Sequence, residues 1–129
     1  MKNKGIILGV MLIIGLFLMG PVSASKLIDH GHKTVYDKDF DSSGTYTWKT
    51  YKISKYYIKI YQTENLKNGV KLKIITTITN IKPHKIKMTI VATMNGIKLG
   101  NKTLKFKSHG YNALKFYNVA WKSEVRNPI

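Results

Sequence analysis

Val70 to Gly96 reads VKLKIITTITNIKPHKIKMTIVATMNG, and its period of two sets the fold class. Val70, Leu72, Ile74, Thr76 and Ile78 share one side of an extended chain, while Lys71, Lys73, Thr77 and Thr79 take the other. The pattern then repeats, with Ile86, Met88, Ile90, Ala92 and Met94 set against Lys85, Lys87, Thr89 and Thr93. Strict alternation of this kind is the signature of half-buried β-strands. Proline has no backbone N–H to give a central ladder, so Ile81-Lys82-Pro83-His84 reads as an antiparallel connection. In that pairing the leading lysines of the two strands fall at opposite ends of the outer face, which avoids direct like-charge pairs. Asn95-Gly96 is a strong signal for a tight hairpin, because both central residues of a type I′ turn need positive φ.

Outward from this pair the same grammar continues. Ile97 and Leu99 form a return strand, interrupted at Gly100-Asn101 and resumed in a new phase by Leu104 and Phe106. Upstream, Tyr46 and Trp48 alternate with Thr45, Thr47 and Lys49, and Tyr56, Ile58 and Ile60 with Tyr57, Lys59 and Tyr61. Glu64 to Gly69 reads as a polar loop. In Tyr111 to Trp121, Leu114 and Phe116 fall on one face and Tyr117, Val119 and Trp121 on the other, which predicts a strand bulged near Phe116. Seven or eight strands and no helical period predict an all-β, antiparallel two-sheet sandwich of immunoglobulin-like type, with a small β-barrel as the alternative.

The N-terminus has the layout of a secretory signal. Lys2 and Lys4 precede an apolar and glycine run from Gly5 to Gly20, and Val22-Ser23-Ala24 supplies the small residues a signal peptidase reads. Residues 1–24 are therefore expected to be a cleaved signal peptide, with an uncleaved membrane anchor as the alternative. Sixteen residues of helix span only about 24 Å against a hydrocarbon core of about 30 Å, which favours cleavage. The expected location is secreted or at the extracytoplasmic cell surface. Residues 25–33 read as a flexible lead-in and residues 34–129 as one β domain.

The chain has 22 Lys and Arg against 6 Asp and Glu and no cysteine. Removing Lys2 and Lys4 with the leader leaves 20 basic against 6 acidic side chains, a formal +14. Arg126 is the sole arginine. Lysine is a hydrated point charge without the planar fork of arginine, so this surface suits diffuse attraction to anionic polymers. Absence of cysteine excludes disulfide staples and thiolate chemistry.

Several constellations carry chemistry. Lys49, Tyr57, Lys59 and Tyr61, with Lys71, Lys73, Lys85 and Lys87, form an expected electrostatic and aromatic binding face. The partner this implies is an anionic envelope polymer or a membrane surface, with a protein partner possible on the same face; export argues against nucleic acid. No cofactor is called for, beyond a divalent metal at two candidate positions. In an extended chain His30 and His32 project to one side beside Asp29 and offer two imidazole ligands. Asp37, Asp39 and Asp41 resemble the opening of a calcium loop, but Ser42 and Trp48 stand where such a loop needs glycine and a bidentate glutamate.

No catalytic constellation appears: there is no nucleophile elbow, zinc-protease helix or phosphate-binding glycine loop. The best enzymatic arrangement is a small basic nuclease using His84 and His109 with Glu124 or Lys122. The leading reading is an exported, non-catalytic module that binds an anionic surface. The alternatives are a secreted bacteriocin-like antagonist and a metal-dependent or hydrolytic enzyme.

Overall fold

The computed structural model describes residues 25–128. Asn95 and Gly96 take φ of 51° and 83°, the turn that their sequence demands. On either side of such turns the chain runs as six strands: β1 (Lys26–Asp37), β2 (Ser42–Ser54), β3 (Tyr57–Leu66), β4 (Lys71–Lys82), β5 (Lys85–Met94) and β6 (Ile97–Lys107). They form one antiparallel sheet in the order β1-β2-β3-β4-β5-β6, so each strand pairs with its neighbour in sequence. The Pro83-His84 connection is antiparallel as expected, and Lys73 faces Thr93 while Lys87 faces Thr79.

Ala113–Phe116 (α1), a π-helical stretch at Tyr117–Trp121 and Lys122–Arg126 (α2) follow the last strand. Asn112 caps this run, its side-chain oxygen accepting from the Lys115 backbone N–H at 2.8 Å. Ala113, Tyr117, Trp121 and Val125 recur every four residues. On an α-helix that spacing drifts by about 40° per step, and the wider π turn takes up the drift, keeping all four toward the sheet. The helical run packs on Ile58, Ile60, Ile78, Ile86 and Met88 to make the core, with Ile90, Phe106 and Trp48 around it. Burying each such aliphatic side chain is worth about 1.5–3 kcal/mol.

The all-β, antiparallel character is thus as expected, but three features differ. The described residues form a single sheet rather than a sandwich, and β1 does not pair with β6 to close a barrel. The cover of the inner face is the C-terminal helical run, in the segment read as a bulged strand. That change of face at Phe116 is helical spacing seen through a period-two template. Residues 26–33 are not a lead-in but the first part of β1, paired with β2 from Lys26 opposite Lys52. The signal-peptide reading concerns residues outside those described; among the described residues no helix is long and apolar enough to cross a membrane.

The helical run is latched at both ends. Near its start the Ala113 N–H donates to Asn80 Oδ1 at 2.7 Å and the Leu114 N–H to the Lys55 carbonyl at 3.0 Å. Near its end Arg126 grips Asp29 of β1 with Nε at 3.0 Å and a terminal nitrogen at 2.9 Å. Asp29 also accepts from Trp48 Nε1 at 3.3 Å and from the Tyr117 hydroxyl at 3.2 Å. With that proton committed, Thr50 Oγ1 donates to the Tyr117 oxygen at 3.0 Å. The Tyr46 hydroxyl donates to the Val125 carbonyl and accepts from Gln62 Nε2 at 2.8 Å. Gly31 makes room for this cluster, because a Cβ there would stand 2.4 Å from the Trp48 ring.

The Arg126 hydrogen bond holds the Asp29 carboxyl below its ordinary value, against the opposing effect of burial. Burial pushes the Tyr117 phenol up to about 12, so it stays a donor. Replacing Asp29 by Ala should cost about 2–3 kcal/mol in urea unfolding, since it removes a charged acceptor from several donors. A carboxyl with a lowered folded pKa stabilises fully above its ordinary value near 4 and loses that contribution as pH falls through the folded value. Wild type and Asp29→Ala should therefore converge in stability below about pH 4.

Candidate functional site: a lysine face and a basic cleft

Register places Lys49, Tyr57, Lys59, Tyr61, Lys71, Lys73, Lys85 and Lys87 on the face opposite the helical run. Across it Lys49 faces Tyr61 and Tyr51 faces Lys59, while Tyr57 faces Thr79. The Tyr51 and Tyr61 rings meet edge to face at 5.7 Å, and Lys59 Nζ lies 5.6 Å from the Tyr61 ring centre. Most of the remaining positions are threonine, with Ile75 and Val91 adjacent at the centre. The expected residues are thus gathered on one surface of tyrosine, threonine and lysine.

From β5 to β6 the pairing changes character. Lys85 faces Lys107 and Lys87 faces Lys105, and Lys82 stands opposite Lys85 from the other side. Like charges directly opposite one another destabilise a sheet. Segment 65–123 contains no Asp or Glu, so β4, β5 and β6 carry nine lysines with no acid among them. The acids lie on β1, the β1–β2 turn, β3 and α2. This acid-free run is legible in the sequence, but a whole-chain charge count conceals it.

At the end of this region lies an open cleft of about 670 Å³, lined by Lys82, Pro83, His84, Lys85, Lys107, His109 and Gly110. Two turns build it. Pro83-His84 joins β4 to β5, and after β6 His109 and Gly110 take φ of 54° and 85°, reversing the chain. The Ser108 N–H donates to the His84 carbonyl at 2.9 Å and ties the two turns together. His84 and His109 are therefore brought together as the nuclease arrangement required, but no carboxylate lines the cleft, and Glu124 lies on α2.

The candidate metal residues are dispersed. Asp29 points to the inner face and Arg126, whereas His30 and His32 fall on the outer face opposite Lys49 and Thr47. Asp37 accepts the Asp39 N–H at 2.9 Å, and Asp41, at φ 47°, accepts from the Tyr36 hydroxyl, so these acids shape the β1–β2 turn. Among the described residues no three His, Cys, Asp or Glu side chains come together as a metal-binding group.

One acidic pair escaped the sequence reading. Glu64 of β3 is only 8% exposed, opposite Tyr46 and Leu72, and one of its carboxyl oxygens has no hydrogen-bond partner. Burial first, then the hydrogen bond to Asp37 and its charge, pushes the Glu64 carboxyl up to about 7. A raised carboxyl means the fold holds a proton that the unfolded chain gives up. That stabilisation is complete below the ordinary glutamate value and is lost as pH rises through about 7. Glu64→Gln keeps a donor toward Asp37 without a titrating proton. In urea unfolding from pH 5 to 8 the wild type should lose stability relative to Glu64→Gln; parallel profiles would refute the pair.

Comparison with known proteins adds no relative: no family model, no curated protein and no solved structure matches this chain.

Proposed function

We propose that this protein is an exported, non-catalytic module that holds to an anionic cell-surface polymer through its lysine face. The observation that carries the reading is the clustering of lysines on β4, β5 and β6 with no acid among them, including cross-strand pairs that oppose folding. A sheet that tolerates such pairs gains by accepting an anionic partner, which neutralises them. Threonine hydroxyls and the Tyr51–Tyr61 pair on the same face supply hydrogen bonds and apolar contact for a polyol or sugar backbone. Export is supported by Lys2, Lys4, the apolar run to Gly20 and Val22-Ser23-Ala24.

A second reading rests on the β6 edge. Ile97 is 71% exposed and Leu99 57%, and they flank Lys98. An apolar edge with lysines beside it suits an anionic lipid surface, as a secreted antagonist of other cells requires. Leakage of anionic but not neutral vesicles, with killing of other cells by the purified protein, would favour it over the polymer reading.

The direct test is retention of residues 25–129 on the producing cell's envelope at low salt, followed by a salt gradient. The Debye length falls from about 30 Å at 0.01 M to about 10 Å at 0.1 M, so elution is expected within that range. A variant with Lys71, Lys73, Lys85 and Lys87 changed to Ala should elute earlier. Absence of retention at low salt, or retention indifferent to salt, would overturn the proposal.

A further inference from the structure

We infer that the cleft between the β4–β5 turn and the end of β6 is a binding site for a phosphate monoester. This deepens the surface-binding proposal by naming the chemical group recognised, and it rests on that reading for its biological source. Lys82, Lys85 and Lys107 line the cleft together with His84 and His109, and no acid lines it. A carboxylate would neutralise one of the three positive charges, whereas a phosphate monoester carries about −1.5 to −2 and presents several acceptor oxygens. Each lysine offers donors free to rotate, and even a neutral imidazole keeps one N–H.

The backbone supports the assignment. Lys85 and Lys107 are direct cross-strand partners, with Cα atoms about 5 Å apart by the geometry of antiparallel pairing. Their repulsion is built into the fold and is relieved by a shared anion. His109 takes a left-handed φ of 54°, which is uncommon for a residue with a Cβ, and the Ser108–His84 hydrogen bond fixes this turn against the other. At about 670 Å³ the cleft holds far more than a phosphate ion, leaving space for the polyol or sugar that carries it.

Lys71 and Lys73 serve as an internal control. They sit at the opposite end of β4, which places Lys73 about 30 Å from Lys82, several Debye lengths at physiological salt. The experiment is calorimetric titration of residues 25–129 with glycerol phosphate, inorganic phosphate and glycerate at constant ionic strength. Saturable binding of both phosphates, at least tenfold tighter than glycerate, is expected. The double variant Lys85→Ala and Lys107→Ala should weaken phosphate binding at least tenfold and raise the urea midpoint at low salt, because repulsion is removed along with the ligand site. Lys71→Ala with Lys73→Ala should leave phosphate binding unchanged.

Glycerate binding as tightly as glycerol phosphate, or equal losses from the two double variants, would overturn the inference and leave only diffuse charge. Envelope retention without saturable phosphate binding would sustain the surface-binding proposal and overturn the cleft. Saturable phosphate binding without envelope retention would do the reverse, and point to a free phosphate ester as the source. Competition by glycerol phosphate against envelope retention would place the phosphate on the polymer.

Discussion

The buried carboxylate of Asp29 organises the inner face. Asp29 lies on an edge strand, and its acceptor oxygens gather Arg126, Tyr117 and Trp48 from three different elements. Without an acceptor there, the only arginine would have no reason to fold back over β1, and the Tyr117 and Trp48 donors would be left unpaired near the core. The remaining constraints follow from this one. Gly31 lacks a side chain so that the indole can lie across it, and the π turn keeps Tyr117, Trp121 and Val125 aligned along the sheet. The resulting layer is thin. It covers the middle of the sheet and leaves Leu72, Ile74, Ala92 and Met94 half-buried.

Lys49, Lys59, Lys71, Lys73, Lys85, Lys87, Lys105 and Lys107 occupy the other side of the same sheet, and the division of acids along the meander is sharp. Strands β1 to β3 with their turns hold five of the six acids, and β4 to β6 hold none. Such a molecule has a direction as well as a net charge. An anionic surface attracts one end of it, so approach is oriented before contact is made. The carboxyl pair Asp37–Glu64 lies in the part that holds the acids, and the cleft between His84 and His109 in the part that has none.

The central strands were legible because they obey one period on a sheet with one covered face. Ile74, Thr76 and Ile78 face inward and Lys71, Lys73 and Thr77 outward just as alternation requires, and Asn95-Gly96 turns as its residues dictate. The edge strand β1 was not legible, because its inward positions are Asp29, Gly31 and Lys33, chosen for the latch and the Trp48 ring rather than for apolar burial. The helix was hidden by brevity. Within Tyr111 to Trp121 its apolar residues fit a kinked strand as well as about two turns of helix, and only Val125 beyond makes the four-residue spacing plain. The cleft could not be seen because Lys85 and Lys107 meet only through a strand register that a bulge near Leu99 resets.

The nearest-neighbour order of the strands also sets a timetable. Every sheet contact joins segments adjacent in the chain, so hairpins can form in the order in which they emerge. The latch is different: Arg126 and Asp29 are 97 residues apart, and the core cover is complete only when the last few residues are present. A chain still being synthesised therefore has a sheet with one bare face and nothing to close it. The domain is committed to its final form only after its C-terminal helical run has been made, so the sheet must wait for its cover.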